Sequence, residues 1–213
     1  MVFGLFKKKP KHVDEPDEIY MTRARADIAL VDAARASARP VVVASFFPES
    51  LAHAERLLGA AGLPTQKLET SSSAATPGTA LLLDASQVAT NFGFDGWLMR
   101  VDCECSFLFV EHHPLARTEQ AVIDVLDQAS TRRPQHVRFF VGLDEPLMRM
   151  FAGERVVSLM ERMGMSADEA IVHPWVDKSI ANAQAKLQKR VPNAVPAASV
   201  TEWFNINVDS VQR

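Results

Sequence analysis

Four short apolar runs constrain this chain more than any other feature of it. "RPVVVAS", "TALLLDAS", "SFLFV" and "HVRFFVG" are continuous in their hydrophobicity rather than alternating, and rich in β-branched or aromatic residues. Strands covered on both faces read this way, and such strands belong to parallel sheets packed between helices. The intervening segments supply the helices. "IYMTRARADIALVDAARASA" places Ile19, Ala26, Leu30, Ala33 and Ala34 near helical spacing, with arginines and aspartates on the other face. "FPESLAHAERLLGAAGL" predicts a helix beginning near Pro48 and punctuated by Gly59 and Gly62, and "TEQAVIDVLDQAS" predicts another. "PTQKLE" reads as a short edge strand, "SSSAATPG" as a loop, and "WLMRVDCECSFLFVEHH" as one long or two short strands. Strands alternating with helices imply an open α/β sheet, mainly parallel, with helices on both faces.

From Asp144 onwards the pattern predicts helices alone: Glu145 to Phe151, Glu154 to Met163, and "VDKSIANAQAKLQKR". The first two fall in a methionine-rich run whose Met spacing is the spacing of core filler, because a flexible thioether adapts to irregular gaps. Pro192 and Pro196 prevent one continuous helix beyond "AKLQKR". The helices from Glu145 to Arg190 are therefore expected to fold back on the α/β unit, burying most of Leu147, Met150, Phe151, Val156, Leu159, Met160 and Met163. Any apolar strip left over would be a partner-binding surface, with Met148, Met160, Met163, Trp175 and Trp203 as its residues. The expected organisation is a flexible tail at 1–16, an α/β domain at 17–143, a helical extension at 144–190 packed on it, and a C-terminal tail at 191–213.

Charge excludes some partners. The net charge is −3 with 23% charged residues, so no global field recruits nucleic acid. Two cysteines give no disulfide framework and fit a reducing cytoplasm. The apolar runs fall well short of the roughly 20 residues needed to span a bilayer. "MVFGLFKKKPKH" sets apolar residues ahead of lysines, the wrong order for an export signal. Two readings stand for it: a frayed tail, or a weak contact with the inner membrane surface through Phe3, Phe6, Lys7, Lys8, Lys9 and Lys11.

Chemistry-bearing groups are sparse. Cys103 and Cys105 with His112 and His113 raise a zinc reading, but C-x-C is not the usual ligand spacing and adjacent histidines on an extended chain point opposite ways. Two half-buried thiols are the simpler reading. Ser45, Glu49 and Ser50 follow the first apolar run, at the carboxyl edge where open α/β sheets bind ligands, although helix capping by Ser45 or Ser50 also accounts for them. His53 and Glu55 share a helix face without a nucleophile. No catalytic, cofactor-binding or metal set is assigned.

One long segment carries a specific resemblance. "LMRMFAGERV", "MERMGM" and "HPWVDKSIANAQAK", in that order within Arg138 to Arg190, closely resemble the stretch after the last strand of the second motor domain in the SecA preprotein translocase ATPase family. Upstream, "PVVV" and "AGLP" resemble the opening of the same domain, and "LFVEHHPLARTEQ" resembles the approach to its arginine-rich motif. The resemblance implies a RecA-like fold of the P-loop NTPase type. It makes the methionine-rich helices the bracket that joins this domain to a later helical scaffold.

The departures concern the chemistry. No G-x-x-x-x-G-K-[ST] occurs in the chain. Where the family has a glycine-rich loop against nucleotide, this chain reads "LLLDASQVA". Where it has glycine-separated finger arginines, this chain reads "TEQAVIDVLDQASTRR", with Arg132 and Arg133 as solvated helix-end cations. The expected function is a non-catalytic, cofactor-free protein-binding module whose first partner candidates are translocase components. The alternative is a half-motor completing an ATP site on another chain.

Overall fold

The computed structural model describes residues 12–68, 78–88, 103–129, 133–150, 156, 158, 162, 164, 166, 168–171 and 174–209. Its centre is the parallel sheet that the apolar runs predict. β3 (Val41–Ser45) lies between β5 (Ala80–Asp84) and β6 (Ser106–Phe109), with Val42 opposite both Leu81 and Phe107. β4 (Thr65–Lys67) pairs along the outer side of β5, and β7 (His136–Gly142) along the outer side of β6. Two short strands, β1 (Val13–Asp14) and β2 (Glu18–Tyr20), follow one another along the free edge of β7. All these pairings are parallel, and the architecture is an open α/β sheet with helices on both faces.

Period-two alternation divides the core between the two faces. Val41, Val43, Leu82, Leu108 and Phe140 face one layer, where α1 (Arg23–Ala36) contributes Ala26, Leu30 and Ala34 and α2 (Pro48–Ala60) contributes Ala54 and Leu58. Val42, Ala44, Leu81, Phe107, Phe109 and Val137 face the other. That layer receives Val122 and Leu126 from α3 (Ala116–Ala129), Leu147 from the short α4 (Pro146–Arg149), and Ile180, Ala183 and Leu187 from α5 (Pro174–Arg190). Leu147 and Val156 are buried, as a fold-back requires, while Met150 is 40% exposed. Phe151, Leu159, Met160 and Met163 lie outside the described residues.

Three sequence expectations need correction. Ile19, expected within the first helix, is a strand residue: Ile19 and Tyr20 pair with Val141 and Gly142. α1 begins only at Arg23, because Thr22 is its N-cap and accepts from Arg25 N–H at 3.3 Å. Residues 12–16, expected in a flexible tail, are stapled down instead. Val13 and Asp14 pair with His136 and Val137, His12 N–H donates to Asp127 at 2.8 Å, and Glu15 meets both His136 and Arg138. Glu15, expected in the flexible tail, is thus a counter-ion for the last strand.

The third correction is the C-terminal tail. α6 (Val200–Phe204) and a π-helical turn (Asn205–Asp209) carry Trp203, Phe204 and Val208 into the core. Ser199 is the N-cap of α6, accepting from Glu202 N–H at 3.3 Å. The Asn207 amide grips both the N–H and the C=O of Val195, at 2.7 and 3.0 Å. Pro192 and Pro196 hid this element, since its helical pattern is only a few residues long.

Candidate functional site

A parallel sheet presents its ligand crevice at the carboxyl ends of its strands, where the chain switches direction of travel across the sheet. Here the chain runs from β3 to β5 on one side and later from β6 to β7 on the other, so the switch lies between β3 and β6. A cleft of about 550 Å³ opens at that edge. Arg23, Glu49, Ser50, His53, Arg56, Glu111, Asp144, Glu145, Ser199 and Val200 are among its walls.

Glu111, just past β6, closes the switch point itself. Its buried carboxylate accepts from the Ser45 hydroxyl at 2.7 Å and from Phe46 N–H at 2.9 Å, and it also bonds the Ser50 hydroxyl. Burial pushes its pKa up against the opposing effect of those donors. One amide and two hydroxyls converging beyond a β-strand are donors that could hold an anion. In this chain the anion is a side chain.

Arg23, the first residue of α1, anchors the opposite wall. Its guanidinium donates to Phe140 O at 2.8 Å, to Val110 O and to Asp27 Oδ1 at 2.7 Å, and it meets Glu145 Oε1 at 3.1 Å. Burial disfavours its charge, yet Glu145, Asp27 and Glu111 together hold its pKa above the ordinary arginine value. Glu145 also accepts from Gly142 N–H at 2.8 Å. Burial first, and the negative charge of Glu111 second, push Glu145 up to about 7 despite the arginine. Gly142 is obligatory at this junction. A Cβ there would sit 2.5 Å from Asp144 Oδ1, 2.6 Å from Arg23 Cα and closer still to Arg23 N.

His53, half-exposed on α2, contacts Asp27 at 2.7 Å. The α2 N-terminus carries no side-chain cap, so neither Ser45 nor Ser50 caps it. Its Glu49 N–H donates instead to Ala198 O at 3.0 Å, and the C-terminal segment covers the helix start. The cleft therefore combines four carboxylates with Arg23, Arg56 and His53, and its strongest donors are already paired within the chain. Among the described residues no group of three or more His, Cys, Asp or Glu gathers as a metal site.

The adjacent histidines behave oppositely. His112 stacks on Phe139 at 4.1 Å between Glu119 at 3.0 Å and Asp17 at 3.2 Å. Burial opposes its charge, but these acids outweigh it and push its pKa up to about 10. His113 lies in an aromatic nest of Phe46, Phe47 and Trp203, and burial drives it down to about 4. Both are remote from the cysteine pair in role, being held at the far end of β6.

The partner surface expected from sequence is revised where it can be seen. Met148 is 4% and Trp203 2% exposed, so both are core side chains and neither lines a surface. Their positions follow from helices folding back, which places one face of each against the sheet. The side chains of Trp175, Met160 and Met163 lie outside the described residues, as do Phe3, Phe6, Lys7, Lys8, Lys9 and Lys11. Sequence reading had placed Ser45, Glu49 and Ser50 at the carboxyl edge correctly. It missed Arg23, Asp27, Glu111 and Glu145; for the last two alone a signal was available, an acid shortly after the end of a buried strand.

Comparison with known proteins bears on the SecA resemblance. No family model matches the chain. The protein translocase subunit SecA of Sorangium cellulosum is 56% identical over 57 residues, and that of Acidithiobacillus ferrooxidans 53% over 57 residues. Each alignment covers 27% of this chain and 6% of the SecA protein, so the chain matches only a small part of these relatives. Among solved structures, the C-terminal part of the Fun30 ATPase domain aligns over 71% of this chain and 48% of that one, at 9% identity and a TM-score of 0.35. Over about a quarter of its length, then, the chain is similar to SecA, the translocase subunit whose family its methionine-rich and "HPWVDKSIANAQAK" segments resemble.

Proposed function

We propose that this protein is a non-catalytic relative of the SecA motor, acting as a protein-binding module in preprotein translocation or in a process derived from it. Glu111 carries the reading. It fills the switch-point crevice with the chain's own carboxylate and occupies the Ser45, Phe46 and Ser50 donors that a phosphate would need. Glu49, Asp144 and Glu145 add further negative charge around the same cleft, and the Ala198 carbonyl takes the first free amide of α2. A nucleoside triphosphate entering there would meet like charge, with the Phe46 and Glu49 amides already engaged. The absence of a lysine-bearing phosphate loop and of glycine-framed arginines in the sequence supports the same reading.

On this reading the protein works in the cytoplasm or at the inner membrane face, with translocase subunits as first partners and no nucleic acid. Among the described residues no helix is long and apolar enough to cross a membrane. Titration calorimetry with ATP and with ADP, with and without Mg²⁺, is expected to show no binding. Binding at low micromolar affinity would overturn the non-catalytic reading in favour of a half-motor. Pull-down against the purified translocase channel and the full-length motor tests the partner, and retention of neither would remove translocation from the proposal.

A further inference from the structure

Away from the cleft, the amino end of β6 brings two thiols together. Cys103 Sγ and Cys105 Sγ lie 3.9 Å apart, side by side on one face of an extended C-x-C segment. Both are free; Cys105 is fully buried, whereas Cys103 is partly exposed. A single buried side chain fixes the backbone of both. Gln135 accepts from Cys105 N–H at 3.0 Å through Oε1 and donates to Cys103 O at 3.4 Å through Nε2. His136, the next residue along, donates its N–H to Cys105 O at 2.9 Å. The pair is thus held in register rather than brought together by chance rotamers.

Among the described residues a metal reading lacks ligands. His136 and Glu104 contact each other at 3.3 Å, and His112 and His113 are engaged beyond the other end of the strand. A dithiol with one accessible and one sheltered sulfur has a different use. We propose that Cys103 and Cys105 are a redox-active pair that closes to an intrachain disulfide when a hydroperoxide reaches Cys103.

The chemistry balances with that one co-reactant. The Cys103 thiolate attacks a peroxide oxygen, the O–O bond breaks, and the departing alkoxide or hydroxide takes up the thiol proton. Cys103 is then a sulfenic acid. The Cys105 sulfur attacks the Cys103 sulfur, the S–O bond breaks, and water leaves with the Cys105 proton. Two thiols and one hydroperoxide yield one disulfide, one water and one alcohol, or a second water from hydrogen peroxide. Closure shortens the 3.9 Å contact to the about 2.05 Å of a disulfide. Rotation of the less buried Cys103 side chain supplies most of that movement. Burial also pushes the Cys105 thiol up, so Cys103 rather than Cys105 meets the oxidant. This inference does not depend on the binding function proposed above.

The reduced full-length protein, treated with hydrogen peroxide and quenched with catalase, tests the pairing by intact mass. The expected result is a loss of two hydrogens, no thiol left to alkylate after denaturation, and full reversal by dithiothreitol. Cys105→Ser should stop at the sulfenic acid and take one dimedone adduct on Cys103, an adduct the unsubstituted protein does not accumulate. The proposal is overturned if peroxide only adds oxygen to Cys103 in the unsubstituted protein. It is equally overturned if both thiols still alkylate under exposure that labels Cys105→Ser, or if the only disulfide formed joins two molecules.

Discussion

Replacing Arg23 by methionine removes the cation at the centre of the cleft wall while keeping most of its apolar length. The guanidinium serves two backbone carbonyls, Phe140 O and Val110 O, and two buried acids, Asp27 and Glu145. Deleting one partner of a buried pair costs about 3–5 kcal/mol, because the other charge is left without a counter-ion. Two features place the value near the lower limit. The Arg23 side chain keeps 23% of its exposure, and His53 stays on Asp27. The expected loss for Arg23→Met is therefore about 3 kcal/mol at pH 8 by urea denaturation. Glu145 makes that loss depend on pH. Its folded pKa is already raised from about 4.5 to about 7, so the folded state binds the proton more tightly and the group costs stability as pH rises through that window. Without Arg23 its folded pKa rises further. The penalty of the variant is then fully present at pH 8 and shrinks toward pH 5, where Glu145 is neutral with or without its partner. Adding Glu145→Gln should recover about half of the loss at pH 8. A loss below about 1 kcal/mol at pH 8, or one equal at pH 8 and pH 5, would refute the view of Arg23 as the counter-ion of a buried acid cluster.

The sheet was legible because its strands announce themselves. Val41 to Ala44, Leu81 to Leu83 and Phe107 to Phe109 are buried on both faces, and a strand buried on both faces has no polar positions to confuse it with anything else. What could not be read were elements whose identity is set by a partner distant in sequence. Glu18 to Tyr20 is three residues long and becomes a strand only by pairing with β7 more than a hundred positions later. The short helix Val200–Phe204 is held in place through Trp203, which packs edge-on against His113 far back in the sequence. The cleft follows the same logic. Ser45 and Glu49 are visible from the sequence as residues after a strand, but the occupant of their crevice, Glu111, comes from another strand that parallel pairing sets beside the first. The SecA resemblance pointed to a crevice without nucleotide chemistry, but only the packed side chains show that Glu111 fills it.

His112 and His113 should impose opposite pH slopes on stability. The raised His112 contributes stability that is complete below about 6.5 and lost as pH rises through about 10; the lowered His113 contributes stability complete above about 6.5 and lost as pH falls through about 4. Urea titrations across pH should accordingly lose the alkaline decline in His112→Gln and flatten the acid decline in His113→Phe, and unchanged slopes in both would refute the assignments. Trp203→Ala tests whether the C-terminal segment is structure or appendage. Trp203 is 2% exposed, meets His113 edge-on at 5.8 Å and Phe204 at 5.3 Å, and its carbonyl accepts from Asn207 at 3.0 Å. Truncating a buried tryptophan leaves a cavity that costs about 3–5 kcal/mol, whereas a residue of a surface tail costs within about 0.5 kcal/mol. The same helix sets the place of Ser199 and Val200 in the cleft wall and of Ala198 O over the Glu49 amide. Amide hydrogen exchange at Glu49 should therefore accelerate in Trp203→Ala more than exchange at Val42 or Val43 in the sheet centre, because the local cap opens before the core does. A loss below about 1 kcal/mol, together with unchanged exchange at Glu49, would mean that the segment neither anchors through Trp203 nor seals the cleft.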